Sequence, residues 1–281
     1  VTELWLEVAG APMHAKVLGE GPAVVLLHGY GVSGTYMLPL ARELATSHRV
    51  LVPELPGQGK SEPRPGLRSV SELAGALAAW LEAAKLEQPA VVANSLGCQV
   101  VTELAVREPA RLGPLVLVGP TVDPARRRGR HQLFAALRDS AREPLQLVAI
   151  AAADDVAVGL RRLVATARAA LDDRIEERLP LVGQPTVVVR GGADEFVSPE
   201  WAQQVASLLP DGRLVVVPGE PHAVHFTRPA AVAGIVRELL LEEAGDTIGD
   251  RTRLLEHGHV PARQQLEPRV RHEALPLLGD P

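Results

Sequence analysis

Val91-Val92-Ala93-Asn94-Ser95-Leu96-Gly97-Cys98 is the stretch from which the rest of the chain is read. Ala90 to Ala93 are small and apolar, one asparagine follows, and then comes a serine. Behind it, Gln99 to Arg107 carries Val100, Leu104 and Ala105 at helical spacing. A strand, a one-residue hinge and a helix are therefore packed into very few positions. Ala93 and Gly97, two positions to either side of Ser95, are small enough to let strand and helix approach closely. A serine in that hinge has its hydroxyl pushed clear of the backbone. The helix start behind it aims unpaired N–H groups at any negative charge that develops nearby. The pattern is G-x-S-x-G with alanine in place of its first glycine.

On the N-terminal side, Leu4–Val8 and Met13–Leu18 read as a hairpin around Gly10-Ala11-Pro12, at the edge of a sheet. Ala23 to Leu27 is apolar without alternation, as in a strand buried on both faces of a parallel sheet. It runs into His28-Gly29-Tyr30-Gly31. A helix is expected over Tyr36–Thr46, a strand over Val50–Pro53, and turn chemistry from Leu55 to Ser61. Ser69 and Glu72 form a capping box for a helix reaching about Lys85, whose Leu73, Leu77, Trp80 and Leu81 make one apolar stripe.

On the C-terminal side, Leu115–Val118 is another buried strand. The alternation then stops, and from Asp123 to Leu179 only helices are expected: Gln132–Arg142, Pro144–Ala153, Gly159–Leu171 and Arg174–Leu179. Strands resume at Thr186–Arg190 and Arg213–Val217, followed by helices at Pro199–Leu209 and Pro229–Glu243. The series predicts an α/β fold with a mostly parallel, doubly wound sheet and right-handed crossovers. Residues 1–122 and 180–244 form its core, and 123–179 an inserted helical cap over the carboxyl ends of the strands, where ligands bind. Residues 245–281 read as a disordered or loosely packed tail, or alternatively as a partner-binding segment.

Composition narrows the function classes. Hydrophobic residues make up 46% of the 281, enough for one large domain with a sizeable core. A net charge of -5 does not suggest nucleic-acid binding. One cysteine, Cys98, precludes an internal disulfide and an all-cysteine metal cluster. Val1 to Gly10 lacks the pattern of a signal peptide, and no apolar run approaches the roughly 18 residues of a membrane span. The expectation is a soluble cytoplasmic protein, monomer or homodimer, with a small-molecule substrate and neither nucleic acid nor membrane as partner.

A serine hydroxyl needs a base within hydrogen-bond reach, a carboxylate behind that base, and donors for the oxyanion. The later strand ends carry residues of the right types in the order Ser, Asp, His. Thr186–Arg190 leads into Gly191-Gly192-Ala193-Asp194-Glu195-Phe196-Val197, and Arg213–Val217 into Pro218-Gly219-Glu220-Pro221-His222. With H-G-Y-G at 28–31, E-L-P-G-Q-G-K-S at 54–61 and A-N-S-L-G at 93–97, the chain resembles α/β-hydrolase-fold serine hydrolases with a helical cap, over roughly Leu4 to Glu243. The resemblance implies that Ser95 is the nucleophile, His222 the general base and Asp194 the orienting acid. The Tyr30 and Leu96 backbone N–H groups would hold the oxyanion. His28, Gly29 and Asn94 would support the site, His28 by orienting the oxyanion loop. No cofactor and no metal is implied. The departures are Ala93, Glu54 for the usual aspartate, and Thr227 where an acidic residue is frequent.

Asp123, after Leu115–Val118, is an alternative acid. His225 reads as a loop or pocket-wall histidine, Cys98 as a small core residue, and Arg126 to Arg130 as a solvated face or an attractor of anionic substrates. The expected activity is hydrolysis of a small carboxylic ester, thioester or lactone through an acyl-enzyme. Two alternatives stand beside it. One is a carbon–carbon bond hydrolase of a vinylogous diketone, suggested by Asn94. The other is a non-catalytic ligand-binding protein of the same fold.

Overall fold

A computed structural model describes residues 1–63, 69–127 and 160–257. Eight strands form one sheet: β1 (Thr2–Val8), β2 (Ala11–Leu18), β3 (Ala23–Leu27), β4 (Arg49–Pro53), β5 (Ala90–Asn94), β6 (Leu115–Val118), β7 (Thr186–Gly191) and β8 (Gly212–Val217). Their spatial order is β1-β2-β4-β3-β5-β6-β7-β8. The β1–β2 and β2–β4 pairs are antiparallel and the other five pairs are parallel. The polar hairpin thus occupies the edge, and the apolar runs fill the centre.

Successive residues of a strand point to opposite faces, so an apolar run supplies two cores at once. Val25, Leu27, Val91, Ala93, Leu115, Leu117 and Val188 join the core built on α2 (Val70–Ala83), α3 (Leu96–Arg107) and the helix Pro199–Leu208. Val24, Leu26, Val92, Val116, Val118, Val187 and Val189 join the opposite core, built on α1 (Leu38–Leu44) and the helix beginning at Pro229. Fully burying each such side chain contributes about 1.5–3 kcal/mol, which is why these runs tolerate no polar interruption. Trp80 is fully buried in the α2 stripe. The capping box is formed: Glu72 N–H donates to Ser69 Oγ at 3.2 Å, and Ser69 N–H to Glu72 Oε2 at 2.9 Å.

Three elements differ from the sequence reading. The helix expected at Tyr36–Thr46 is a 3-10 turn, Gly34–Met37, followed by α1. Pro39 lacks an N–H and suits the first turn of a new helix rather than the interior of a longer one. α3 begins at Leu96, directly after Ser95, rather than at Gln99. The last helix runs from Pro229 to His257, past the Glu243 end expected from sequence, so the segment after Gly245 begins as helix. Gly245 and Gly249 each cost about 1 kcal/mol in a helix, too little to stop it. The rest of that segment, 258–281, lies outside the described residues, as do the expected cap helices Gln132–Arg142 and Pro144–Ala153. Two later helices expected in 123–179 are present as Leu160–Asp172 and Ile175–Arg178, and Ile175 is buried in the core that α2 and α3 share. No helix among the described residues is long and apolar enough to cross a membrane.

Candidate active site

Ser95 is the single residue between β5 and α3, at φ 54°, ψ −118°. Few non-glycine residues occupy this region, and a side chain held there is strained. The crowding that imposes it is visible at Gly97, where a Cβ would fall 2.8 Å from His28 O and 2.9 Å from Leu27 O. Two hydrogen bonds tie the hinge to the end of β6: Ser95 N–H donates to Val118 O at 3.0 Å, and Asn94 Nδ2–H to the same oxygen at 3.1 Å. Asn94 is buried, and its amide braces the turn.

The loop after β3 passes directly over this hinge. A Cβ at Gly29 would lie 3.0 Å from Ser95 Cβ and 3.1 Å from Asn94 Oδ1. His28 sets the loop's peptide orientation. Leu55 N–H donates to His28 Nε2 at 3.0 Å, so that nitrogen carries no proton. The proton is on Nδ1, which donates to Gly29 O at 2.9 Å. The two polar groups of a trans peptide point in opposite directions, so the Tyr30 N–H turns away from the imidazole. Gln58, with its amide nitrogen turned inward, donates to Val32 O at 2.8 Å and Gly29 O at 3.2 Å.

Glu54 anchors the same loop from below. Its buried carboxylate receives Gly34 N–H at 3.0 Å, Lys60 N–H at 2.6 Å and Lys16 Nζ–H at 2.6 Å, and lies 2.8 Å from His14 Nδ1. Burial works to raise this carboxyl, but the hydrogen bonds from Lys16 and the Lys60 amide, with the Lys16 charge, hold it below its ordinary value.

Asp194 and His222 meet across the ends of β7 and β8, with Asp194 Oδ2 at 2.8 Å from His222 Nδ1. The other carboxylate oxygen accepts from Phe196 N–H at 2.8 Å and Val197 N–H at 3.0 Å. With Asp194 ionised, Nδ1 is the protonated nitrogen, and Nε2 is the acceptor. The Phe196 ring packs at 4.7 Å from the imidazole. The two loops are joined by backbone: Gly192 N–H donates to Val217 O at 2.7 Å and Ala193 N–H to Glu220 O at 2.8 Å.

Asp123 is occupied elsewhere. Its Oδ2 accepts from Ser198 O–H at 2.7 Å and its Oδ1 from Ala125 N–H at 2.9 Å. Arg126 reaches Glu195 O at 3.1 Å, and Arg127 forks onto Glu176 at 2.8 and 2.9 Å, while 128–130 lie outside the described residues. His225, read from sequence as a loop or pocket-wall histidine, is in a helix rather than a loop. It lies in the short helix Val224–Thr227, fully buried, with its ring 4.5 Å from Tyr36. Burial, with the neighbouring His222, pushes its imidazole down to about 3. Cys98 is buried beside Ala93 O and Val118 O, and burial raises its thiol far above the ordinary range. No group of three or more His, Cys, Asp and Glu among the described residues could hold a metal ion.

Three residues at the site were not singled out from sequence. Gly119, at φ +57°, faces His222: a Cβ there would fall 2.7 Å from Cε1 and 2.8 Å from Nδ1. Two positions on, Thr121 Oγ1 lies 3.4 Å from Ser95 Oγ. One short segment after β6 therefore touches both the imidazole and the serine. Arg190 is the third. Its buried guanidinium donates to Val197 O at 2.7 Å, Asp194 O at 3.1 Å and Gly192 O at 3.2 Å, stitching the Asp194 turn together. A lone charge in an otherwise apolar strand was the available signal. Gly119 and Thr121 had none beyond their place after a strand.

A mostly parallel eight-stranded sheet flanked by helices, with serine on a strained strand–helix hinge, defines an α/β-hydrolase fold. The family model described as "Alpha/beta hydrolase family" matches residues 24–235, and the chain belongs to that family. Among curated proteins it is 33% identical to polyketide synthase ThaQ of Burkholderia thailandensis, across 85% of this chain but 13% of that protein. It is 27% identical to the pimeloyl-[acyl-carrier protein] methyl ester esterase of Nitrosospira multiformis, across 80% of this chain and 97% of that one. Among solved structures, the enol-lactonase from Burkholderia xenovorans superposes with a TM-score of 0.73 at 21% identity, covering 85% of this chain and all of that one. The chain thus spans a small fraction of one curated relative and nearly the whole of another.

Proposed function

We propose that this chain is a serine hydrolase acting on a small carboxylic ester, thioester or lactone through an acyl-enzyme. The observation that carries the reading is the His222–Asp194 contact of 2.8 Å, which directs the Nδ1 proton to the carboxylate and leaves Nε2 as a base at the rim that holds Ser95. In this reading His222 takes the Ser95 proton as Oγ attacks the acyl carbon. Asp194 stabilises the imidazolium that results, and remains ionised. The Tyr30 and Leu96 amides receive the developing oxyanion. Leu96 N–H is free to do so because the first N–H groups of a helix have no partner within it. Such donors each contribute about 3–4 kcal/mol of transition-state stabilisation. The imidazolium then protonates the leaving group. In the second half His222 activates water, which attacks the acyl carbon and frees the acid from Ser95. The esterase named among the relatives supports the ester class, and an acyl ester borne on a carrier protein is one member of it.

The test is a fluorophosphonate label with mapping of the adduct, beside a panel of esters and thioesters of increasing acyl length on wild type and Ser95→Ala. Label on Ser95, and turnover that Ser95→Ala abolishes, is the expected result. Label elsewhere, or none, overturns it. Turnover of a ring-fission dienoate without ester turnover would replace the reading with carbon–carbon hydrolysis. A ligand that raises the melting temperature and is never consumed would replace it with binding alone.

A further inference from the structure

We propose that Thr121 is a positioning residue that sets the direction of the Ser95 hydroxyl proton; this rests on the serine-hydrolase reading above. Thr121 is 6% exposed, and its Oγ1 is 3.4 Å from Ser95 Oγ. The segment that carries it is pinned on both sides. Gly119 N–H donates to Val189 O at 2.8 Å, and Trp201 Nε1–H to Pro120 O at 2.8 Å. Beyond Thr121, the Asp123 carboxylate takes the Ser198 hydroxyl at 2.7 Å, while Ser198 Oγ accepts Trp201 N–H at 3.1 Å. β7 and the start of the helix Pro199–Leu208 therefore hold the threonine backbone in place. A β-branched side chain has few χ1 choices, so the hydroxyl is a fixed reference for a serine on a strained hinge.

The direction of the bond decides its effect. A hydroxyl has one proton and two lone pairs. When Thr121 donates to a Ser95 lone pair, the Ser95 proton is left for His222 Nε2. When Ser95 donates to Thr121, its proton lies away from the base and attack must wait for rotation. In this proposal Thr121 is the donor, and its hydroxyl favours the rotamer in which acylation can start. Once the acyl bond forms, Ser95 Oγ has no proton left to direct. The contact therefore bears on acylation and not on deacylation.

Thr121→Val keeps the shape and removes the donor, and Thr121→Ser keeps the donor. Phosphonylation of Ser95 and kcat/KM on a p-nitrophenyl ester are expected to fall together about tenfold in Thr121→Val, the weight of one neutral hydrogen bond, and to return within about threefold of wild type in Thr121→Ser. The acid limb of the kcat/KM profile, which reports the base, is expected to keep its midpoint. Equal losses in both variants, or a moved acid limb, would show a packing effect or a displaced His222 and overturn the proposal. So would wild-type rates in Thr121→Val while Ser95 is still labelled; that result leaves the serine-hydrolase reading standing. Wild type unlabelled at Ser95 and inactive on esters instead removes the reading itself.

Discussion

Gly119→Ala is expected to disable the proposed chemistry without unfolding the protein. The new methyl carbon would lie 2.7 Å from His222 Cε1 and 2.8 Å from Nδ1, with Asp194 Oδ2 at 3.4 Å. Non-bonded carbons rest at about 3.5–4.0 Å, so the ring must withdraw by roughly 1 Å or the segment after β6 must shift by as much. Either movement strains the 2.8 Å contact between His222 and Asp194 and displaces Nε2. A misplacement of about 1 Å costs on the order of 10²-fold in rate. A second cost comes from φ +57°, where an L side chain pays about 1–2 kcal/mol. Gly10→Ala separates the two. Gly10 has φ +82° with nothing within 4 Å of its would-be Cβ, and it lies in the edge hairpin. Gly10→Ala should lose about 1–2 kcal/mol in urea unfolding, and Gly119→Ala that much plus an overpacking cost of about 1–3 kcal/mol. Only Gly119→Ala should lose about 10²-fold in kcat/KM on an ester substrate. Activity of Gly119→Ala within about threefold of Gly10→Ala would refute the reasoning, because it would mean that the imidazole position does not limit the reaction.

The two candidate acids are separated by mutation: Asp194→Asn should lower kcat by about 10⁴-fold, whereas Asp123→Asn should change it by no more than a few fold. Reversal of that order in steady-state assays would move the acid to β6. His225 makes stability depend on pH. Its folded imidazole is pushed down from 6.5 to about 3, so in that window the unfolded chain binds a proton that the folded chain excludes. Its contribution is complete above the unfolded value and falls as pH drops from 6.5 toward 3. One such group removes about 2 kcal/mol of stability between about pH 7 and pH 5. His225→Phe, which keeps a ring against Tyr36, should lose that share of the pH dependence in urea titrations at the two pH values. An unchanged slope would mean that the imidazole is not excluded from protonation.

Much of the fold could be read from local pattern because a parallel sheet buried on both faces demands it. The runs Ala23–Leu27, Ala90–Ala93, Leu115–Val118 and Thr186–Val189 are apolar at every or nearly every position, since each strand feeds two cores. The hinge at Ser95 could be read for a similar reason. A strand and a helix joined by one residue need small neighbours, and Ala93 and Gly97 stand where the backbones crowd. The extent of the last helix was not legible, because glycines such as Gly245 and Gly249 signal a boundary without enforcing one.

What local pattern could not decide was which groups meet. Asp123 and Asp194 both follow neighbouring parallel strands, and each is followed by a turn. The tertiary structure distinguishes them by what satisfies their oxygens: Ser198 and the Ala125 amide at Asp123, the His222 imidazole and two amides at Asp194. Gly119 and Thr121 acquire meaning only from partners far along the chain, His222 and Ser95. Periodicity and turn chemistry are properties of adjacent residues, so they specify the elements and their order. Hydrogen bonds and steric limits between distant residues depend on angles and distances of a few ångströms, and only the packed sheet sets those.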